Sequence, residues 1–211
     1  MNQQTQQGAA AQSIIRAVRG TAVVKPGDNI DTDRIMPVRY LKELTFEHLG
    51  KHVFHDEREA ERAAGRVHPF DAPERAQTRV LFANKNFACG SSREHAPQGL
   101  HRWGIRAVVA ESFSEIFAGN AAAIGLPCAV AEEADVAELQ RRAEADPAAE
   151  FVLDLEAKTV SCAGFSAPVQ MLEGARAQFL DGSWDALAVL RGRQAEAACT
   201  AAALTYLRHW R

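Results

Sequence analysis

Short apolar runs alternate with helical segments through the middle of the chain, and this alternation constrains the fold more than any other sequence feature. The runs at 79–83, 106–110 and 127–131 have the length and apolar character of strands. Segments 92–103 and 113–123, which lie between them, have helical character. Because parallel strands must be joined by a crossover, usually a helix, this order favours parallel pairing. The sequence therefore predicts a layered α/β domain.

The chain divides into three parts by composition. Residues 1–18 begin with a Gln- and Ala-rich stretch that has no apolar run, and we predict a disordered lead-in there. Residues 19–165 contain the predicted strands and helices of the main domain. Residues 166–211 are predicted to form a mainly helical C-terminal extension.

Other elements follow from local patterns. Residues 56–78 are charged and rich in Pro and Ala, which indicates a surface excursion whose charge run is a solvated face. The remaining predictions are a strand at 20–24, a helix at 40–49, a helix at 136–145, and a hairpin formed by 151–155 and 159–162.

Composition excludes several classes of function. The net charge is −3 and the pI is about 6.2, so there is no basic field to bind a nucleic-acid backbone. No apolar run is long enough to span a membrane. The cysteines are far apart and include no Cys-x-x-Cys, so we expect this chain to bind no metal and to be cytoplasmic with reduced thiols. They are Cys89, Cys128, Cys162 and Cys199.

A polar cluster follows the strand at 79–83. Ser91 and Glu94 have the spacing of a capping box, which would only begin a helix. That reading leaves Gly90, Ser92 and Arg93 unexplained. Glycine allows a ligand to approach the backbone, arginine binds carboxylates with two hydrogen bonds, and helix N-termini favour anions. The cluster therefore indicates a carboxylate-binding site with hydroxyl groups beside it.

Several nearby residues have simpler interpretations. Pro97 cannot donate to the preceding turn, so the helix is either kinked or begins later than the capping box suggests. Cys89 is interpreted as a packing residue. His52 and His55 form His-x-x-His, but without a third ligand the pair is interpreted as a polar helix end.

Four motifs in order resemble those of 3-isopropylmalate dehydratase small subunits, in the aconitase superfamily. The run NFACGSSREHAP at 86–97 resembles the signature loop of this family, with Ala88 where many relatives have glycine. The run GDNIDTD at 27–33 resembles its early aspartate loop, PVRYLK at 37–42 its substrate-selecting loop, and 112–127 its following strand–helix unit.

The resemblance implies a fold, a reaction and a partner. The fold is the swivelling β/β/α domain with a helical C-terminal tail. The reaction interconverts 2- and 3-isopropylmalate by removing and re-adding water, so the substrate is a small dicarboxylate. The family's [4Fe–4S] cluster belongs to a large subunit, which is therefore the expected partner, while this chain itself carries no cofactor.

The resemblance also implies roles for individual residues. Ser91 matches the catalytic serine that takes a proton from carbon, and Asp33 matches a catalytic aspartate. Ser92, Arg93 and Thr32 match residues that bind the substrate.

The sequence does not decide which substrate the chain acts on. Tyr40, Leu41 and Lys42 lie in the loop that sorts substrates by their side group, and a lysine there suits either solvent or a charged side group. Homoaconitate or dimethylmalate are alternative substrates. An alternative of another class is a non-catalytic anion- or RNA-binding module, against which the acidic net charge argues.

Overall fold

A parallel sheet lies at the centre of the molecule. The computed structural model describes residues 14–43, 45–91, 93–204 and 206. Within them the sheet has the order β2-β3-β4-β5. Its strands are β2 (Ala22–Lys25), β3 (Val80–Ala83), β4 (Ala107–Ala110) and β5 (Cys128–Val130), and all neighbours pair in parallel. These four strands confirm the strands predicted at 20–24, 79–83, 106–110 and 127–131.

A second, antiparallel sheet packs beside it, with the order β1-β6-β7-β8. Its strands are β1 (Ala17–Gly20), β6 (Phe151–Asp154), β7 (Thr159–Cys162) and β8 (Phe165–Pro168). The predicted hairpin is present as β6 and β7. Strand β1 begins within the predicted lead-in, of which residues 1–13 lie outside the described part, and β8 crosses residue 165. The division into three parts stays a prediction.

Helices pack against the parallel sheet and form the C-terminal region. They are α1 (Thr32–Ile35), α2 (His55–Ala63), α3 (His95–Trp103), α4 (Glu115–Ala122), α5 (Glu133–Ala145), α6 (Glu173–Asp181), α7 (Ala186–Gly192) and α8 (Gln194–Ala203). Short 3-10 helices lie at Val38–Lys42, Leu49–His52 and Pro73–Arg75.

Two hydrophobic clusters divide the strand residues by parity, since successive side chains of a strand point to opposite faces. One face of the parallel sheet, including Val24 and Phe82, packs with the antiparallel sheet and α5. The other face, including Val23 and Leu81, packs with α1, α3 and α4. Sheet, sheet and helices therefore form the β/β/α layers that the resemblance implied. Burial on both faces explains why these strands are continuously apolar.

The helix predicted at 40–49 is wrong. The described residues of this segment form part of the 3-10 helix Val38–Lys42 and the start of Leu49–His52, with extended backbone at Glu43 between them, while Leu44 lies outside the described part. The apolar spacing misled because the segment folds back on itself. Tyr40 stacks on His52, with ring centroids 3.8 Å apart, and a continuous helix would separate the two rings.

The segment 56–78, predicted to be a surface excursion, is exposed at most positions but is anchored in the domain at a few buried residues. The segment contains most of α2 and buries His68, Phe70, Arg75 and Thr78. Arg75 donates hydrogen bonds to two backbone oxygens, that of Ala22 and, at 2.7 Å, that of Ala143. Helix α2 buries none of its own residues, so ion pairs rather than an apolar stripe attach it to the domain.

Candidate active site

The candidate site lies where the parallel strands end. The carboxyl ends of β2, β3 and β4 meet at one edge of the sheet, and each is followed by a polar loop. These loops are residues 26–31, residues 84–94 and residues 111–114. In open α/β sheets this edge is where ligands bind. We call residues 84–94, which join β3 to α3, the β3–α3 loop.

Asn84 fixes the beginning of the β3–α3 loop. Its side-chain oxygen accepts hydrogen bonds from the backbone N–H of Gly27 at 3.0 Å and from the amide of Gln140 at 3.2 Å. Its side-chain nitrogen donates to the carboxylate of Glu111 at 2.9 Å. One amide therefore ties together the loops after β2, β3 and β4.

Two asparagines continue this connection. The side chain of Asn86 donates to that of Asn29 at 2.8 Å, and its backbone N–H donates to the Ser112 hydroxyl at 2.7 Å. Both have left-handed backbone, with φ of 56° at Asn86 and 53° at Asn29, which asparagine tolerates better than most residues. Ala88 also has a positive φ of 58°, so the position where many relatives have glycine is one that favours glycine.

Helix α1 contacts the tip of the β3–α3 loop. The backbone N–H of Thr32 donates to the carbonyl of Cys89 at 2.9 Å, and the Thr32 hydroxyl donates to the carbonyl of Ser91 at 3.3 Å. Gly90, between them, has a φ of +91°, and a Cβ there would lie 3.7 Å from Cβ of Asp31. Thr32 is 2% exposed and contacts the loop from the interior of the protein, whereas Ser91 is exposed to solvent.

An ion pair joins the same two segments at the surface. The guanidinium of Arg93 donates a hydrogen bond to the carboxylate of Asp33. The side chains are 29% and 47% exposed respectively, so a ligand can reach both. The structure thus brings Thr32, Asp33, Ser91 and Arg93 together, although Ser92 lies outside the described residues.

The capping box is wrong. Helix α3 begins at His95, and its N-cap, Glu94, makes no side-chain capping hydrogen bond. Pro97 consequently falls in the first turn, where a missing N–H costs no intrahelical bond. The alternative of a later helix start is therefore confirmed. Ser91 lies in the loop rather than at a helix cap, which leaves its hydroxyl available for another partner.

The predicted substrate-selecting residues lie in the 3-10 helix Val38–Lys42. The Tyr40 ring stacks on His52, and His52 Nε2 lies 2.9 Å from Glu43 Oε1. Leu41 packs at the edge of the core, and Lys42 is exposed. His52 is the last residue of the 3-10 helix Leu49–His52, as the interpretation of a polar helix end expects, and it also contacts Tyr40 and Glu43.

The segment that follows the 3-10 helix Val38–Lys42 is linked to α3 by an aromatic contact. Phe46 lies edge-to-face against His95, with ring centroids 5.2 Å apart. His55, the second member of His-x-x-His, lies edge-on to Tyr40 at 5.2 Å. In the part of the chain that the structure describes, no three His, Cys, Asp or Glu residues are grouped as a metal site.

Sequence reasoning missed an ion cluster behind α1, in which a half-buried carboxylate pairs with the buried Lys25. Glu57 of α2 accepts hydrogen bonds from Lys25 at 2.7 Å and from Arg34 at 3.0 Å, and His68 Nε2 lies 3.8 Å away. Burial alone would raise the pKa of Glu57, but contact with His68 and hydrogen bonding to Lys25 outweigh it and lower the pKa to about 2. The charge run containing Glu57 carried no signal that distinguishes this residue from its solvated neighbours.

The four cysteines differ in exposure, and the thiol of one has a shifted pKa. Cys89, Cys128 and Cys162 are half-buried, Cys199 is exposed, and all four are free. Burial raises the pKa of the Cys128 thiol well above its usual range. Among the described residues, no helix has both the length and the apolar character needed to cross a membrane.

Comparison with known proteins gives consistent matches. Residues 12–133 match the family model of the aconitase C-terminal domain. The 3-isopropylmalate dehydratase small subunit of Synechocystis sp. is 46% identical over 94% of this chain and 97% of its own length. That of a Thermus thermophilus strain is 43% identical over 82% of this chain and 86% of its own length.

A solved structure agrees with these relatives. The crystal structure of 3-isopropylmalate dehydratase from Methanocaldococcus jannaschii superposes with a TM-score of 0.65 at 25% sequence identity. The match covers 87% of this chain and 99% of that one. The similarity therefore extends beyond the signature loop to both sheets of the fold.

Proposed function

Because this chain belongs to the family of 3-isopropylmalate dehydratase small subunits, we propose that it is the small subunit of a hydro-lyase in leucine biosynthesis. The reaction interconverts 2-isopropylmalate and 3-isopropylmalate by dehydration and rehydration. The observation that supports this most strongly is the convergence of Ser91, Arg93, Asp33 and Thr32 at the carboxyl edge of the parallel sheet.

Arg93 is proposed to bind a substrate carboxylate. Its guanidinium is partly exposed at the edge of the sheet, and a planar guanidinium can donate two parallel hydrogen bonds to a carboxylate. In the structure it pairs with Asp33. A substrate carboxylate must therefore share or replace this contact. We assign Thr32 to substrate binding through its support of the loop, and Ser92 by resemblance alone.

Ser91 is proposed to take the proton from carbon during dehydration. A serine hydroxyl is a weak base unless its alkoxide is stabilised, and a guanidinium two residues away supplies positive charge. The carbonyl of Ser91 accepts a hydrogen bond from buried Thr32, so its backbone is fixed while its side chain lies in solvent. Asp33 is proposed to assist proton and water transfer beside it.

A large subunit is proposed as the partner. The described residues of this chain do not form a ligand set for an iron–sulfur cluster. We therefore assign the [4Fe–4S] cluster, which polarises the leaving hydroxyl in this family, to the large subunit. The exposed site edge, with Ser91 and Asp33 open to solvent, is suited to being completed by another chain. A cytoplasmic location stays a prediction.

The test is anaerobic reconstitution with the large subunit encoded by the same organism. We would measure hydration of isopropylmaleate by this chain alone, by the large subunit alone, and by the complex. The proposal predicts activity in the complex only. Turnover of dimethylmaleate or homoaconitate, but not of isopropylmaleate, would support the same type of reaction with a different substrate. No turnover with an intact cluster would overturn the enzymatic function and favour an anion- or RNA-binding module.

A further inference from the structure

We propose that Glu57 is a positioning residue, which acts through Arg34 to hold α1 against the β3–α3 loop. Helix α1 presents Thr32 and Asp33 to that loop. The inference deepens the proposed function, on which it rests, by adding a residue from the charged segment that sequence patterns assign to a solvated face.

Helix α1 cannot be fixed by its own hydrogen bonds. It is a single turn of four residues, closed by the bonds from Ile35 N–H to the Asp31 carbonyl at 3.2 Å and from Met36 N–H to the Thr32 carbonyl at 2.8 Å. Nucleating one isolated turn is unfavourable, so such a turn needs contacts from outside.

Ile35, which is fully buried in the core, supplies part of that contact, and polar contacts come from two further sides. On one side Thr32 and Asp33 bond to the β3–α3 loop. On the other side Arg34 Nε donates to Glu57 Oε1 at 3.0 Å. The side chain immediately after the proposed catalytic aspartate is therefore held from the opposite direction, and the turn is clamped between α2 and the loop.

Glu57 is itself attached to the central sheet. Its other carboxylate oxygen lies 2.7 Å from Nζ of Lys25, the last residue of β2, which is 6% exposed. The Lys25 ammonium also lies 5.3 Å from the centre of the Phe54 ring, and the backbone N–H of Phe54 donates to the Ile35 carbonyl at 2.9 Å. Arg34 therefore bonds to a carboxylate that is fixed relative to the strands.

A positioning role must be separated from a merely structural one. Removing Glu57 alone would leave Lys25 as a buried, unpaired charge, and the fold would suffer for that reason. The double substitution of Lys25→Met with Glu57→Met removes the buried ammonium together with its partner, and it leaves Arg34 and the ring of His68 without this carboxylate. The exposed Arg34→Gln change breaks the same contact from the other end.

The first readout is steady-state kinetics of the reconstituted complex. Each of the two variants is expected to lower kcat about tenfold with KM within about twofold of wild type, because a displaced turn misplaces groups that act in the transition state. Combining Arg34→Gln with the double substitution should lower kcat no further, because each of these variants removes the same contact between Arg34 and Glu57. Glu59→Gln, on the same helix but at an exposed position where the carboxylate pairs with Arg62, should leave kcat unchanged.

The second readout does not depend on activity. Amide hydrogen exchange of residues 32–36 in the full chain should become about tenfold faster in Arg34→Gln and remain unchanged in Glu59→Gln. If the wild-type complex has no hydro-lyase activity, the proposed function fails, but this exchange result still decides the inference. Unchanged exchange, or independent multiplicative losses of kcat in the combined variant, would overturn it.

Discussion

Substituting Gly50 by alanine should destabilise the protein strongly. Gly50 lies in the 3-10 helix Leu49–His52, which packs directly on the last turn of α3. A Cβ at this position would lie 2.7 Å from the carbonyl carbon of Arg102 and 2.7 Å from the nitrogen of Trp103. Both atoms belong to the backbone, so no side-chain rotation relieves the clash.

The expected loss of stability follows from the size of that overlap. Carbon atoms in favourable contact are about 3.5 Å apart, so either α3 or the 3-10 helix must move by about 0.8 Å. Overpacking of this kind costs about 1–3 kcal/mol, and a backbone clash belongs at the upper end, near 3 kcal/mol. For a chain of this size that corresponds to a fall in Tm of about 6–12 °C.

The assay is urea unfolding together with thermal melting, with two matched glycines. Gly119→Ala, on α4, meets no atom within 4 Å and should stabilise by about 0.5 kcal/mol, because glycine is unfavourable inside a helix. The Cβ of Gly99→Ala would clash with the Met36 methyl, which can rotate away, so the change should cost about 1 kcal/mol. Most surface substitutions change the free energy of unfolding by about 0.5 kcal/mol or less. If Gly50→Ala changed it by no more than that, the predicted backbone clash would be refuted.

Two further substitutions test buried polar groups. Arg75→Met keeps the apolar stem but leaves the carbonyls of Ala22 and Ala143 without this donor, so urea unfolding should show a loss of about 2–4 kcal/mol; an unchanged midpoint would contradict the contacts. Burial, then the charge of Arg106, lowers the pKa of His101 to about 4. The fold therefore needs the neutral ring, and wild type should lose stability as pH falls from about 6.5 towards 4. In His101→Gln that part of the pH dependence should disappear, and a curve parallel to that of wild type would contradict the assignment.

The parallel sheet could be predicted from the sequence because its strands are buried on both faces. Their residues form continuous apolar runs, and the predicted bounds lie within about two residues of those observed, as boundary error allows. Strands β1 and β8 could not be found in this way. Each is four residues long and only partly buried, and β1 includes Arg19 and Gly20.

The site was predictable where its residues are neighbours in the chain. Gly90, Ser91 and Arg93 lie in one motif, and their chemistry follows from residue type and order. The capping box failed because the local pattern competes with loop contacts from Thr32, which the sequence does not reveal. The contact between Arg34 and Glu57 was missed for the same reason, since tertiary folding alone brings them together.

Ser91 is the residue proposed to carry the chemistry of a hydro-lyase. The most direct measurement is the rate of isopropylmaleate hydration by the reconstituted complex containing Ser91→Ala, beside a complex containing Ser166→Ala. Ser166 is an exposed serine of β8, so it controls for loss of a surface hydroxyl. We expect kcat to fall at least about a hundredfold for Ser91→Ala, as for loss of a general base, and to be unchanged for Ser166→Ala. Equal rates for the two variants, with both complexes assembled and their clusters intact, would contradict it.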